Sequence, residues 1–100
     1  MKTYERKLVT IITEAAIETQ VIAEVKNLGA HGYTVVEARG GGARGVRTSE
    51  WEEDKNIQIE VICDGSVADA MIAYFAKNYY ANYAMIIFVS KVEVVRPEKF

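Results

Sequence analysis

The sequence predicts an α+β domain with the element order β-α-β-β-α-β. Three observations carry this expectation: β-rich and helical segments alternate in that order, the two halves of the chain resemble each other, and the last apolar run lacks the alternation of a half-exposed strand. Residues 7–13 (KLVTIIT) are rich in β-branched side chains, which suit a pleated surface. Ile17, Val21, Val25 and Leu28 then recur at helical spacing with Ile22 beside them, and Gly29 stands where a helix C-cap belongs. Residues 33–38 (YTVVEA) make the second strand. Residues 56–63 (NIQIEVIC) make the third, with Ile57, Ile59 and Val61 alternating against polar neighbours. Ala68, Met71, Ile72, Phe75 and Tyr79 give the second helix its stripe, and Ser66 and Asp69 are spaced as a capping box at its start. Residues 84–95 form a fourth, longer strand.

At an offset of 50 positions, Ile11, Ile12, Glu14, Ile22, Tyr33 and Val36 fall on Val61, Ile62, Asp64, Ile72, Tyr83 and Ile86 without a gap. A doubled β-α-β unit of this length is the ferredoxin-like plait, an antiparallel sheet with both helices on one face. Its other face is left open. The run Met85, Ile86, Ile87, Phe88, Val89 therefore predicts that something covers that face, either another subunit or a folded-over segment of the same chain.

A chain of 100 residues, 50% hydrophobic and 26% charged, is expected to form one domain over residues 1–100. Its formal charge of −2 argues against general nucleic-acid binding, and no apolar run is long enough for direct membrane insertion. A cytoplasmic location is expected. Cys63 is the only cysteine and His31 the only histidine, too few for a zinc site, so no metal is expected.

The connection of residues 39–55 is too long for a hairpin between neighbouring strands, which needs about two to five residues. It opens with Arg39-Gly40-Gly41-Gly42-Ala43-Arg44-Gly45-Val46-Arg47, four glycines and three arginines in an otherwise acidic chain. Glycine lets a ligand approach the backbone and arginine offers a fork matched to phosphate oxygens, so the segment suits an anion. A flexible linker with solubilising charges is the competing reading, against which stands the mutual repulsion of three clustered arginines. Gly40, Gly42 and Gly45 formally satisfy the dinucleotide fingerprint, but no helical stripe follows them, and that fingerprint needs a helix. Trp51, among four carboxylates, is either a partner anchor or a residue packed locally in an oligomer. His31, between Ala30 and Gly32, is read as structural or as a contact to a ligand edge. Glu60 is read as a surface carboxylate or as a ribose or base contact. With no metal cluster or positioned base in view, the chain is not expected to be an enzyme.

Together, Gly32-Tyr33-Thr34-Val35-Val36-Glu37, the Gly/Arg segment, Ile59-Glu60-Val61 and residues 83–89 (YAMIIFV) resemble the PII superfamily of trimeric signalling proteins over nearly the whole chain. Within it the chain is most similar to the PII-like SbtB proteins of bicarbonate uptake, through residues 40–47 (GGGARGVR). The resemblance implies a homotrimer, adenine nucleotides (cAMP, AMP, ADP or ATP) in clefts between subunits, and a T-loop at residues 39–55 that docks on a membrane bicarbonate transporter, bringing the protein to the membrane. Carried over by position, Gly40, Gly41, Gly42, Arg44 and Arg47 would hold phosphate. Val36, Glu60, Ile62 and His31 would border the adenosine, and Trp51 would serve partner binding. PII proteins proper wrap polyphosphate with a glycine-and-lysine loop before the last strand. Here residues 82–85 (NYAM) are short and lack lysine, so triphosphate binding is expected to be weaker or differently made. The loop also lacks a tyrosine for uridylylation, and residues 96–100 (RPEKF) carry no cysteine, so neither that modification nor a thiol switch is expected. Three alternatives stand beside this reading: a carboxysome-associated PII-like protein sensing ADP or AMP with bicarbonate, a weak nucleotide hydrolase, and a structural trimer of the cation-tolerance type.

Overall fold

A computed structural model describes residues 1–42, 45–47 and 55–100 of the chain. In chain order the elements are β1 (Tyr4–Glu14), α1 (Glu18–Asn27), β2 (Thr34–Ala38), β3 (Gly40–Gly42), β4 (Gly45–Arg47), β5 (Asn56–Cys63), α2 (Gly65–Asn78) and β6 (Ile86–Val94). Short 3-10 turns at Ala15–Ile17 and Pro97–Lys99 join and end them. Four strands form one antiparallel sheet in the order β2-β5-β1-β6, and β3 pairs with β4 as a separate ribbon. The expected α+β plait is thus observed, and the internal repeat is visible in it. Each half contributes one central strand, one helix and one edge strand.

Strand parity divides the sheet into two faces. Val9 and Ile11 of β1 and Ile57, Ile59 and Val61 of β5 share a buried cluster with Val21 and Val25 of α1 and Ala68, Met71 and Phe75 of α2. Complete burial of each such large side chain contributes roughly 1.5–3 kcal/mol, so this layer between sheet and helices is the main source of stability. The opposite parity carries Leu8, Thr10 and Ile12, Gln58, Glu60 and Ile62, Thr34 and Val36, and Ile86 and Phe88. Among the described residues no helix lies over it, and Val36, Ile86 and Phe88 are 45%, 48% and 50% exposed in the single chain.

Several sequence expectations are corrected in detail. The 85–89 run does alternate: Ile87 and Val89 pack on the core, while Ile86 and Phe88 face away from it. β1 begins at Tyr4 because its pairing with β6 continues to Tyr4↔Val94. The final strand starts at Ile86, two residues later than expected, and the Ala84 amide before it is bonded to the Glu14 carboxylate. The cap of α2 is Asp64, whose Oδ1 accepts from the Val67 amide at 2.9 Å and from the Ser66 hydroxyl at 2.8 Å, in place of a Ser66/Asp69 box. Gly29 does close α1, with φ +112° and its amide on the Lys26 carbonyl.

Candidate functional site

The glycine segment is a strand where the sequence suggests a loop. Gly40 pairs with Arg47, Gly41 with Val46 and Gly42 with Gly45. Cross-strand partners share a face of a ribbon, so Gly40, Gly42, Gly45 and Arg47 occupy one face and Gly41 and Val46 the other. Three glycines make the first face bare backbone at one arginine position. Among the described residues, a Cβ added at Gly40 would meet no atom within 4 Å, and its φ is not positive, so no described contact or backbone conformation demands glycine there. Backbone without a side chain there leaves room for another group to approach closely. The side chain of Arg47, and Arg44 and Trp51 entirely, lie outside the described residues.

Three of the residues assigned to the adenosine end come together on the open face of the sheet. β2 pairs with β5 through Thr34↔Glu60 and Val36↔Gln58, which makes Val36 and Glu60 diagonal neighbours, and Ile62 continues the same row along β5. Glu60 is held in place by Gln58, whose Nε2 donates to Oε2 at 3.2 Å. The carboxylate keeps further acceptor positions for a hydroxyl or an amino group.

His31 stands apart from this group. It is exposed three residues before β2, whereas Gly40 follows β2, so the two lie beyond opposite ends of that strand. Two clefts reflect the separation. One, of about 660 Å³ and including Val36, Ala38, Arg39, Lys55 and Asn56, opens at the root of the glycine segment. The other, of about 650 Å³, lies between His31 and Gly32 and the C-terminal residues Arg96, Lys99 and Phe100. The sequence alone does not place Arg96 or Lys99 beside His31, since nothing in the spacing of residues 95–100 says which way the chain turns after β6.

No group of three or more metal-ligating side chains is found among the described residues. Cys63 is buried, and burial with the nearby Asp64 charge pushes its thiol up to about 11, which keeps it protonated and unreactive at neutral pH. No described helix is long and apolar enough to cross a membrane.

The family profile of the nitrogen regulatory protein P-II matches residues 6–99. The chain belongs to the P-II family. As a P-II family member it is a PII-like signalling protein, and its solved relatives extend over its full length. It is 43% identical to a candidate PII-like signaling protein of Thermus thermophilus, with a TM-score of 0.87 and coverage of 100% of this chain and 99% of that one. CPII of Thiomonas intermedia, whose structure holds ADP and bicarbonate, is 26% identical with a TM-score of 0.89, covering 99% of this chain and 97% of that one. The GlnK-ATP complex of B. subtilis shares the fold at 16% identity and a TM-score of 0.69, with full coverage of both chains.

Proposed function

We propose that this P-II family protein is a sensor of adenine nucleotides, bound in clefts between the subunits of a homotrimer. The single observation that carries the reading is the pairing of Gly40 with Arg47, which sets bare backbone and a guanidinium-bearing residue in one face of a ribbon. Gly40, Gly41, Gly42, Arg44 and Arg47 take the phosphates. Val36, Glu60 and Ile62 line the adenosine end. The separation of His31 from Gly40 supports a site shared by two chains, because a cleft between subunits can set the His31 end of one chain beside the Gly40 end of the next. The exposed Val36, Ile86 and Phe88 supply the apolar surface that such an assembly needs.

In this reading residues 39–55 are the T-loop, and Trp51 is its contact to a membrane bicarbonate transporter. Nucleotides change the affinity for that partner only by binding the loop's alternative states unequally, and arginines on the loop provide the inequality. The ligand-bound structure of CPII favours a second reading, in which bicarbonate binds together with ADP or AMP. Calorimetric titration with cAMP, AMP, ADP and ATP, each with and without bicarbonate, tests both. Saturation near one nucleotide per chain irrespective of bicarbonate supports the first reading. Bicarbonate-dependent binding supports the second, and no binding of any nucleotide removes both.

A further inference from the structure

The β1–β6 ladder ends at Ile12↔Ile86, and two residues further along each strand the contact is continued by a side chain. The backbone amide of Ala84 donates to Glu14 Oε2 at 3.4 Å, while Glu14 Oε1 accepts from the Thr13 hydroxyl at 2.9 Å. Thr13 is completely buried, so its hydroxyl holds one oxygen of the carboxylate while the other meets Ala84. On the far side of the same turn the amide of Ala15 donates to the Lys55 carbonyl at 2.8 Å. Glu14 is also the register partner of Asn56, and Asn56 in turn is the partner of Ala38. One row therefore crosses the end of the sheet, from both roots of the 39–55 segment to the connection that precedes β6.

The internal repeat makes this use of Glu14 informative. Its counterpart, Asp64, caps the helix that follows it through the Val67 amide. Glu14 precedes a 3-10 turn and makes no such cap bond. A carboxylate in the capping position has been turned across the sheet. This bond ties the 82–85 connection to the turn that also meets Lys55 at the root of the glycine/arginine segment.

We propose that Glu14 is a positioning residue for the nucleotide site, bracing the 82–85 connection against the root of the glycine/arginine segment. The proposal rests on the sensor reading and adds a residue that touches no phosphate. The test is ADP titration of wild type, Glu14→Ala, Glu14→Gln and Arg47→Ala, combined with amide hydrogen exchange of the unliganded proteins. Glu14→Ala is expected to bind about tenfold more weakly, with faster exchange at Ala84 and unchanged protection in the central residues Val9, Ile11 and Val61. Glu14→Gln should bind as wild type does, because a carboxamide oxygen can accept from Ala84 while its nitrogen donates to the Thr13 hydroxyl. Wild-type affinity in Glu14→Ala, with Arg47→Ala impaired, overturns the brace and leaves the sensor reading standing. Loss of protection throughout the sheet in Glu14→Ala, or failure of Glu14→Gln to restore binding, also overturns it. A wild-type protein that binds no adenine nucleotide removes both.

Discussion

Gly40 is the antiparallel partner of Arg47. These residues are seven positions apart in the sequence, and it is the ribbon that brings a residue without a side chain level with one that carries a guanidinium. Polyphosphates are met by such combinations elsewhere, with backbone for close approach and a planar cation for charge.

Glycine at position 40 packs against none of the described residues, so Gly40→Ala should separate folding from binding. Stability should be unchanged or raised by about 0.5–1 kcal/mol, since glycine in a strand is entropically costly. Nucleotide affinity should fall. Gly29→Ala is the contrasting control: φ is +112° there and a Cβ would lie 3.2 Å from Val67 Cγ2, so it should lose about 1 kcal/mol by urea denaturation.

Phe88 and Ile86 are about half exposed on the face away from the helices. Phe88→Asp should leave the single chain folded by circular dichroism, because the helix-facing core does not include this side chain. In the proposed trimer it should place a carboxylate in an apolar interface, and light scattering should then report monomers. A wild-type protein already monomeric, or a trimer unaffected by the change, would contradict the covered face.

How far these features are legible in the sequence differs from segment to segment. Ile57, Ile59 and Val61 alternate, and Val21 and Val25 recur at helical spacing, because their partners lie on one side only. Periodicity cannot reveal β3, since Gly40, Gly41 and Gly42 have no side chains to alternate and glycine disfavours strands. Asp64 is not legible as a cap because α2 begins at Gly65, a poor helix former, which moves the visible start of the helix later. At the site, Val36, Glu60 and Ile62 are brought together by strand register, which parity along a single strand does not supply. Glu14 gives no local signal, as its partner Ala84 is 70 residues away.

Asp64 is exposed, and the Val67 amide, with the Ser66 hydroxyl, lowers its pKa below the usual carboxylate range. Stabilisation from a carboxylate with a lowered folded-state pKa is in place at neutral pH and fades as pH falls through that lowered value. Asp64→Ala should therefore melt a few degrees below wild type at pH 7, and the two proteins should converge in strong acid. Asp64→Asn, which still offers a capping oxygen, should lose less.

With its thiol pushed up to about 11 and its side chain in the core, Cys63 should resist a thiol reagent at pH 8 in the folded protein. Full labelling should follow in denaturant. Rapid labelling of native protein would place Cys63 outside the core cluster described above.

The most direct test of the proposed phosphate site is ADP titration of wild type and Arg47→Ala side by side, with adenosine as the uncharged control. Wild type should saturate near one ADP per chain, and Arg47→Ala should bind ADP at least about tenfold more weakly, while adenosine binds both proteins alike. Equal ADP affinity in the two proteins, or no saturable binding by wild type, would contradict the site at Gly40 and Arg47.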